Sequence, residues 1–81
     1  MNPRVKQVEY KSKYKLILTF ENDEVKEFDF SAYLEYPVYC PLIDESFSAT
    51  AGVYNGTVVW SDDIDFDPDR LYLESRTLTA V

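Results

Sequence analysis

The sequence predicts an α+β domain. Its small antiparallel β-sheet would be built from a three-strand meander and a second hairpin, with short helices packed on one face. Residues 14–20 alternate between apolar and other side chains, as in a half-buried strand. Asn55-Gly56 lies between two apolar stretches, which is the strongest short-range signal for a hairpin. The 81 residues predict a single domain, 1–81, and 46% of them are apolar, which favours a folded core despite a net charge of −7.

The meander accounts for the first third of the chain. The predicted strands are Val5–Tyr10, Tyr14–Phe20 and Val25–Phe30. The polar residues between them read as turns.

The pairing of the second and third strands follows from the need to bury one face. Setting Leu18 opposite Phe28 and Leu16 opposite Phe30 keeps apolar residues together. A slip of one residue would move every side chain to the other face, so a buried face enforces one register. This arrangement predicts a three-residue loop or a bulge near Glu24.

Two short helices are predicted after the meander. Ser31 is a suitable N-cap for a helical turn that Pro37 stops. Asp44 or Glu45 opens a second short helix, and Gly52 closes it.

The last third of the chain predicts a hairpin and a final helix. Asn55 and Gly56 form the turn. Asp67 caps the helix, and Pro68 occupies its first position. The strands of the hairpin are 53–54 and 57–60.

Charge is distributed unevenly along the chain. Residues 1–20 hold five basic residues and one acidic residue, whereas residues 21–81 hold three basic and fourteen acidic residues. An acidic surface repels phosphate, which disfavours direct nucleic-acid binding. One alternative is a regulatory nucleic-acid module that uses the basic N-terminal strands. The basic residues are Arg4, Lys6, Lys11, Lys13 and Lys15.

The residue types exclude several kinds of chemistry. The chain has no histidine and one cysteine, Cys40, so neither a Cys-His nucleophile nor an intrachain disulfide can form. It contains no glycine-rich phosphate loop and no zinc-binding cluster. We therefore predict no catalytic residue and no cofactor. The absence of a membrane-length apolar stretch and of a signal region predicts a cytoplasmic protein.

The acidic stretch near the C-terminus contains weak candidates for metal binding. Asp63, Asp65, Asp67 and Glu74 have the carboxylate spacing of a calcium loop. The position that needs glycine for the sharp turn holds Pro68, so the match is incomplete. A metal-dependent hydrolase that uses this acidic loop is a second alternative.

Aromatic residues supply the candidate interaction surface. Tyr33, Tyr36 and Tyr39 recur at intervals of three, and they fit either core packing or an exposed cluster that meets a partner. Trp60 and Asp65 complete the set of candidate surface residues.

Several segments together resemble one bacterial family, the domain of unknown function 2442. The resemblance runs from residue 2 to about residue 75, and its most specific part is the combination of the run Gly56–Trp60, the following Asp65 and the segment Pro68–Tyr72. The segments that carry it are Met1–Val5, Tyr14–Asn22, Phe28-Asp29, Tyr33-Leu34, Pro41-Leu42, Gly56–Trp60, Asp65 and Pro68–Tyr72.

The resemblance implies a small α+β unit with a curved antiparallel sheet, and it supplies no activity. Some similar proteins stand alone and others carry a helix-turn-helix domain. Asp23 and Asp63 stand where family members commonly have glycine.

The leading functional hypothesis is a non-catalytic interaction module that acts as an adaptor or an antitoxin-like partner. It would bind a small partner protein, because acidic charge and open strand edges suit such binding. The sequence also leaves a homodimer open.

Overall fold

The computed structural model describes residues 2–61 and 64–78. In this part of the chain every strand pair is antiparallel. The strands are β1 (Val5–Tyr10), β2 (Lys15–Phe20), β3 (Val25–Asp29), β4 (Gly52–Tyr54), β5 (Thr57–Ser61), β6 (Ile64–Asp65) and β7 (Arg76–Thr77). The α-helices are α1 (Glu45–Ser48) and α2 (Pro68–Glu74), and 3₁₀ helices span Ser31–Glu35 and Pro37–Ile43.

The strands form two sheets, and the predicted α+β class is confirmed. The first sheet has the order β1-β2-β3-β7, and the second has the order β4-β5-β6. The predicted hairpin is therefore the start of a separate three-stranded sheet. β6 and β7 are each two residues long, which is too short for the alternation that reveals a strand.

The loop between β2 and β3 has the predicted length, but the predicted pairs are wrong by two residues. Leu16 faces Phe28 and Leu18 faces Lys26. The Phe20 N–H donates to the Glu24 carbonyl at 2.9 Å, so residues 21–23 form the loop. Asp23 adopts the left-handed conformation, with φ 69°. This residue closes the loop, and the closure sets the register.

The observed register puts Lys26 on the buried face, where Tyr72 accommodates it. The Lys26 amine lies 3.8 Å from the centroid of the Tyr72 ring and donates to the Tyr72 carbonyl at 2.8 Å. The Tyr72 hydroxyl donates to Glu24 at 2.5 Å. These contacts satisfy the buried charge, which the predicted register would also have placed on this face, because a shift of two residues does not change which side chains are buried.

Two of the three helix N-caps that the sequence predicted are present in the structure. Asp44 accepts from the Ser46 N–H and caps α1, and Asp67 accepts from the Asp69 N–H and caps α2, each at 3.0 Å. Ser31 is not the cap, because it is the first residue of its 3₁₀ helix; Phe30 occupies the cap position, and Asp29 Oδ1 accepts from the Ser31 N–H.

Gly52 does not close the second helix as predicted. α1 ends at Ser48, and Gly52 begins β4.

The core lies between the two sheets and under the helices. The Trp60 Nε1–H donates to the Ser48 carbonyl at 2.8 Å, which joins β5 to α1 inside this core. The buried apolar residues are Val5, Leu16, Leu18, Phe20, Phe28, Phe30, Leu42, Val58, Trp60, Ile64, Phe66 and Leu71.

The two sheets meet where β1 approaches the second hairpin. The Val5 N–H donates to the Gly56 carbonyl at 2.9 Å. Further along, β1 and β4 border a groove of about 420 Å³ that Gln7, Glu9 and Val53 help to line. None of the helices in the described residues is long and apolar enough to cross a membrane.

Candidate interaction surface

The three tyrosines spaced by three are brought together by 3₁₀ geometry. Backbone bonds run from Tyr33 N–H to the Phe30 carbonyl, from Tyr36 N–H to the Tyr33 carbonyl and from Tyr39 N–H to the Tyr36 carbonyl. Tyr36 has extended backbone (φ −86°, ψ 134°) and lies between the 3₁₀ helix that holds Tyr33 and the 3₁₀ helix that holds Tyr39. The Tyr33 ring consequently lies 6.2 Å from Tyr36 and 5.8 Å from Tyr39, measured between centroids.

The inner part of this cluster packs on the core through Phe66, which is 2% exposed. Tyr39 stacks on Phe66 with centroids 4.8 Å apart and planes inclined by 4°. Tyr33 meets Phe66 edge-on at 5.2 Å. Stacked and edge-on pairs are favourable aromatic geometries, so these two tyrosines are held firmly.

The outer part of the cluster is open to solvent. Tyr36 and Val38 are each 56% exposed. Together with Tyr33, Tyr39 and Arg70 they line a cavity of about 250 Å³. We call these five residues the tyrosine surface. Two of the tyrosines, Tyr33 and Tyr39, pack against the core, and Tyr36 is exposed.

Helix α2 fixes Tyr33 from the side. The Tyr33 hydroxyl donates to the Glu74 carboxylate, and Arg70 Nη1 donates to the same hydroxyl at 3.4 Å. The Arg70 guanidinium lies 5.9 Å from the Tyr33 ring centroid, and its Nε lies 3.7 Å from Glu74 Oε2. Burial and the bond to Glu74 raise the pKa of Tyr33, so its hydroxyl stays protonated.

Strand β6 borders the other side of the cluster. The Tyr39 hydroxyl donates to the Asp65 carbonyl at 3.4 Å. Burial raises the pKa of Tyr39, and the nearby Asp65 carboxylate raises it further. Asp65 is exposed. The predicted surface residues Tyr33, Tyr36, Tyr39 and Asp65 are therefore neighbours.

Trp60 does not join this surface, contrary to the prediction. It is 7% exposed, and its ring packs against Phe30 and Phe66. Trp60 faces inward because it lies on β5 in alternation with Val59 and two positions from the buried Val58.

The acidic metal candidates have other roles where the structure describes them. Asp67 caps α2 and Glu74 binds Tyr33, which leaves their carboxylates engaged. Asp63 lies outside the described residues. Within 2–61 and 64–78, no group of three or more His, Cys, Asp or Glu residues is placed to hold a metal ion.

The basic N-terminal residues are partly neutralised by acidic neighbours. Lys6 pairs with Asp23 at 2.6 Å, and Lys11 pairs with Glu27 at 3.2 Å. Arg4 Nη1 donates to the Asn55 carbonyl at 2.9 Å. The two ion pairs reduce the positive charge that the strands could offer to a phosphate backbone.

Arg70 and Val38 belong to the surface and were missed by the sequence analysis. Arg70 is 37 positions from Tyr33, and only the packing of α2 brings them together. Val38 follows Pro37 in a segment whose 3₁₀ geometry is not visible in the apolar pattern. Three tyrosines, a valine and an arginine around one cavity resemble the centre of a protein interface, where Tyr and Arg are enriched.

Comparison with known proteins gives one family and no activity. The family model described as "Protein of unknown function (DUF2442)" matches residues 5–77. No curated protein matches the chain.

A solved structure provides a similar fold. The chain is similar to the crystal structure of "Putative DNA Binding Protein NE0471" from Nitrosomonas europaea, with 28% identity and a TM-score of 0.81. The match covers 93% of this chain and 50% of that protein, so the chain spans half of its length.

Proposed function

We propose that this chain, which belongs to the DUF2442 family of proteins of unknown function, is a protein-interaction module that binds a small partner protein through the tyrosine surface. In this role it acts as an adaptor or as one half of a stable pair. A cytoplasmic location is part of the proposal and agrees with an exposed free thiol at Cys40.

The observation that carries the proposal is the exposure of Tyr36 on a rigid aromatic base. Its ring stands beside Tyr33, whose position is fixed by Phe66 on one side and by α2 on another. A tyrosine that loses little conformational freedom on binding supplies contact area at low entropic cost. Such residues are typical anchors at the centres of interfaces.

The carboxylates support binding rather than proton transfer. Hydrogen bonds from Tyr10 and from Tyr72 lower the pKa values of Glu45 and Glu24, respectively, and hydrogen bonding to Lys11 lowers that of Glu27. A general acid at neutral pH needs the opposite shift. These groups therefore remain charged, and the exposed Glu45 contributes to an acidic surface that steers a partner of opposite charge.

The test compares two exposed tyrosines on different parts of the molecule. Tagged wild type, Tyr36→Ser and Tyr54→Ser proteins are purified gently from cells of the source organism and analysed by native mass spectrometry. Tyr54 is the matched control, because it is 65% exposed and lies on β4. We expect wild type and the Tyr54 variant to retain the same stoichiometric protein and the Tyr36 variant to lose most of it.

Two outcomes would contradict the proposal. One is a wild-type protein recovered without any stoichiometric partner. The other is a partner that the Tyr36 variant retains as well as wild type does, which would move the interaction to another surface.

A nucleic-acid role is the second candidate, because the similar protein from Nitrosomonas europaea carries a DNA-binding name. The residues available for it here are Lys13 and Lys15, which stand outside the ion pairs of the described residues. A mobility-shift assay with duplex DNA at low salt tests this candidate. Binding that weakens steeply with added salt and with Lys13→Gln/Lys15→Gln would support it.

A further inference from the structure

We infer that the partner meets the tyrosine surface with a basic segment, and that an Arg or Lys side chain of this segment lies against the ring of Tyr36. The inference rests on the proposed function and specifies the chemistry of the partner. Three features of the surface lead to this inference: an exposed tyrosine ring, an arginine of this chain that already lies near a neighbouring tyrosine ring, and acidic side chains around the cavity.

The open face belongs to Tyr36. Its side chain is 56% exposed, and the hydrogen bonds of residues 2–61 and 64–78 do not involve its hydroxyl. A cation placed over a tyrosine ring is attracted by the negative face of the ring. Arginine suits this position, because its planar guanidinium also stacks on aromatic rings.

The neighbouring ring shows how such a cation is held in this protein. The Arg70 guanidinium lies 5.9 Å from the Tyr33 ring centroid, and Glu74 balances its charge at 3.7 Å. The chain thus combines a ring, a guanidinium and a carboxylate at the edge of the cavity. The inferred contact repeats this combination with Tyr36 as the ring and the partner as the source of the cation.

Carboxylates for the incoming cation are available at the border of the surface. Asp65 is exposed, and its charge is close enough to the Tyr39 hydroxyl to raise the pKa of that group. Glu35 is exposed and directly precedes Tyr36. Arg70 is the single cation among the residues that line the cavity, and Glu74 already neutralises it. The border therefore carries an excess of negative charge.

This charge distribution selects among occupants. An acidic peptide or a phosphate backbone would meet carboxylates without a compensating cation, which is costly at an interface. The net charge of −7 extends the preference for a basic partner beyond the surface itself, because it raises the rate at which cationic segments arrive.

The experiment uses short synthetic peptides and nuclear magnetic resonance of the ¹⁵N-labelled protein at low ionic strength. One capped Gly-Ser peptide carries a central arginine. The second carries citrulline, its neutral isostere, and the third carries glutamate. Each is titrated into wild type, Tyr36→Ser, Asp65→Asn and Glu9→Gln proteins. Glu9→Gln is the matched control, because it also removes one exposed carboxylate and lies on β1.

We expect the arginine peptide to shift the amide signals of Tyr36, Tyr39 and Arg70 in wild type and in Glu9→Gln. The shifts should fall at least twofold in Asp65→Asn and disappear in Tyr36→Ser. Citrulline and glutamate peptides should give no comparable shifts. A glutamate or citrulline peptide that binds as well as the arginine peptide would overturn the inference.

The failure of this inference is distinguishable from the failure of the proposed function. If no peptide binds although a protein is retained in a Tyr36-dependent manner, the surface is an interface but its partner is not basic. If no peptide binds and no partner protein is retained either, the proposed function as an interaction module is wrong.

Discussion

The Tyr33 hydroxyl donates a hydrogen bond to the Glu74 carboxylate, which joins the first 3₁₀ helix to the last residue of α2 across 41 positions of sequence. Phe66 supports the same tyrosine from the core side, with ring centroids 5.2 Å apart. Tyr33 therefore links the core, α2 and the exposed Tyr36. The tyrosine surface is stiff because of this link.

Replacing Tyr33 by Phe should separate the hydrogen bond from the ring packing. The Phe ring keeps its contact with Phe66, whereas Glu74 and Arg70 lose their shared partner. We expect the free energy of unfolding to fall by about 0.5–1.5 kcal/mol. Urea unfolding followed by the fluorescence of Trp60 measures the change. Tyr36→Phe is the control and should change the free energy of unfolding by less than about 0.5 kcal/mol. Equal stability of wild type and Tyr33→Phe would show that the Tyr33 hydroxyl contributes nothing to stability.

Much of the fold could be predicted because local chemistry determined it. Asn55 and Gly56 adopt φ values of 53° and 80°, as the hairpin signal requires. Asp67 caps α2 with its side chain. The register of β2 and β3 was harder, because it follows from a loop closed by Asp23 in the left-handed conformation, which Asp adopts less readily than glycine. The buried position of Lys26 depends on Tyr72, which is 46 residues away and is not visible in any local pattern.

The tyrosine surface could be predicted only in part for the same reason. The spacing of Tyr33, Tyr36 and Tyr39 indicated that they were related, but their meeting depends on the extended backbone of Tyr36 between two short 3₁₀ helices. Arg70 enters through the packing of α2. Trp60 was among the candidate surface residues, yet strand alternation buries it.

Gly56 should be far less tolerant of substitution than Gly52. Its φ is +80°, and an added Cβ would lie 2.6 Å from Cδ and 2.8 Å from Cβ of Arg4. Gly56→Ala should therefore lower the free energy of unfolding by about 2 kcal/mol or more. Gly52→Ala meets no atom within 4 Å and serves as the matched control. Similar urea midpoints for the two variants would contradict the account of the β1–hairpin junction.

Asp67 should contribute to stability through its side-chain oxygen rather than through its charge. It accepts from the Asp69 N–H at 3.0 Å at the start of α2. Asp67→Ala should lower the free energy of unfolding by about 1 kcal/mol, and Asp67→Asn should restore most of it, because Asn caps helices nearly as well as Asp. Thermal unfolding followed by circular dichroism distinguishes the variants. An Asn variant as unstable as the Ala variant would assign the effect to charge instead.

Glu27 should make stability depend on pH in a defined direction. Its buried carboxylate binds Lys11 at 3.2 Å and Arg76 at 3.1 Å, and hydrogen bonding to Lys11 lowers its pKa from 4.5. Because the folded state holds this proton less tightly than the unfolded state does, the stabilisation is complete above pH 4.5 and is lost as pH falls through the lower, folded-state pKa. Glu27→Gln should be about 1 kcal/mol less stable than wild type at pH 7, since a neutral amide makes weaker bonds to the two cations. This difference should shrink as pH falls below 4.5 and vanish below the folded-state pKa, where the wild-type carboxyl is neutral as well. Urea unfolding of wild type and Glu27→Gln between pH 3 and pH 7 measures this difference, and Glu9→Gln, at an exposed position, is the control. A difference in stability that stays constant with pH would show that shape rather than charge explains the effect.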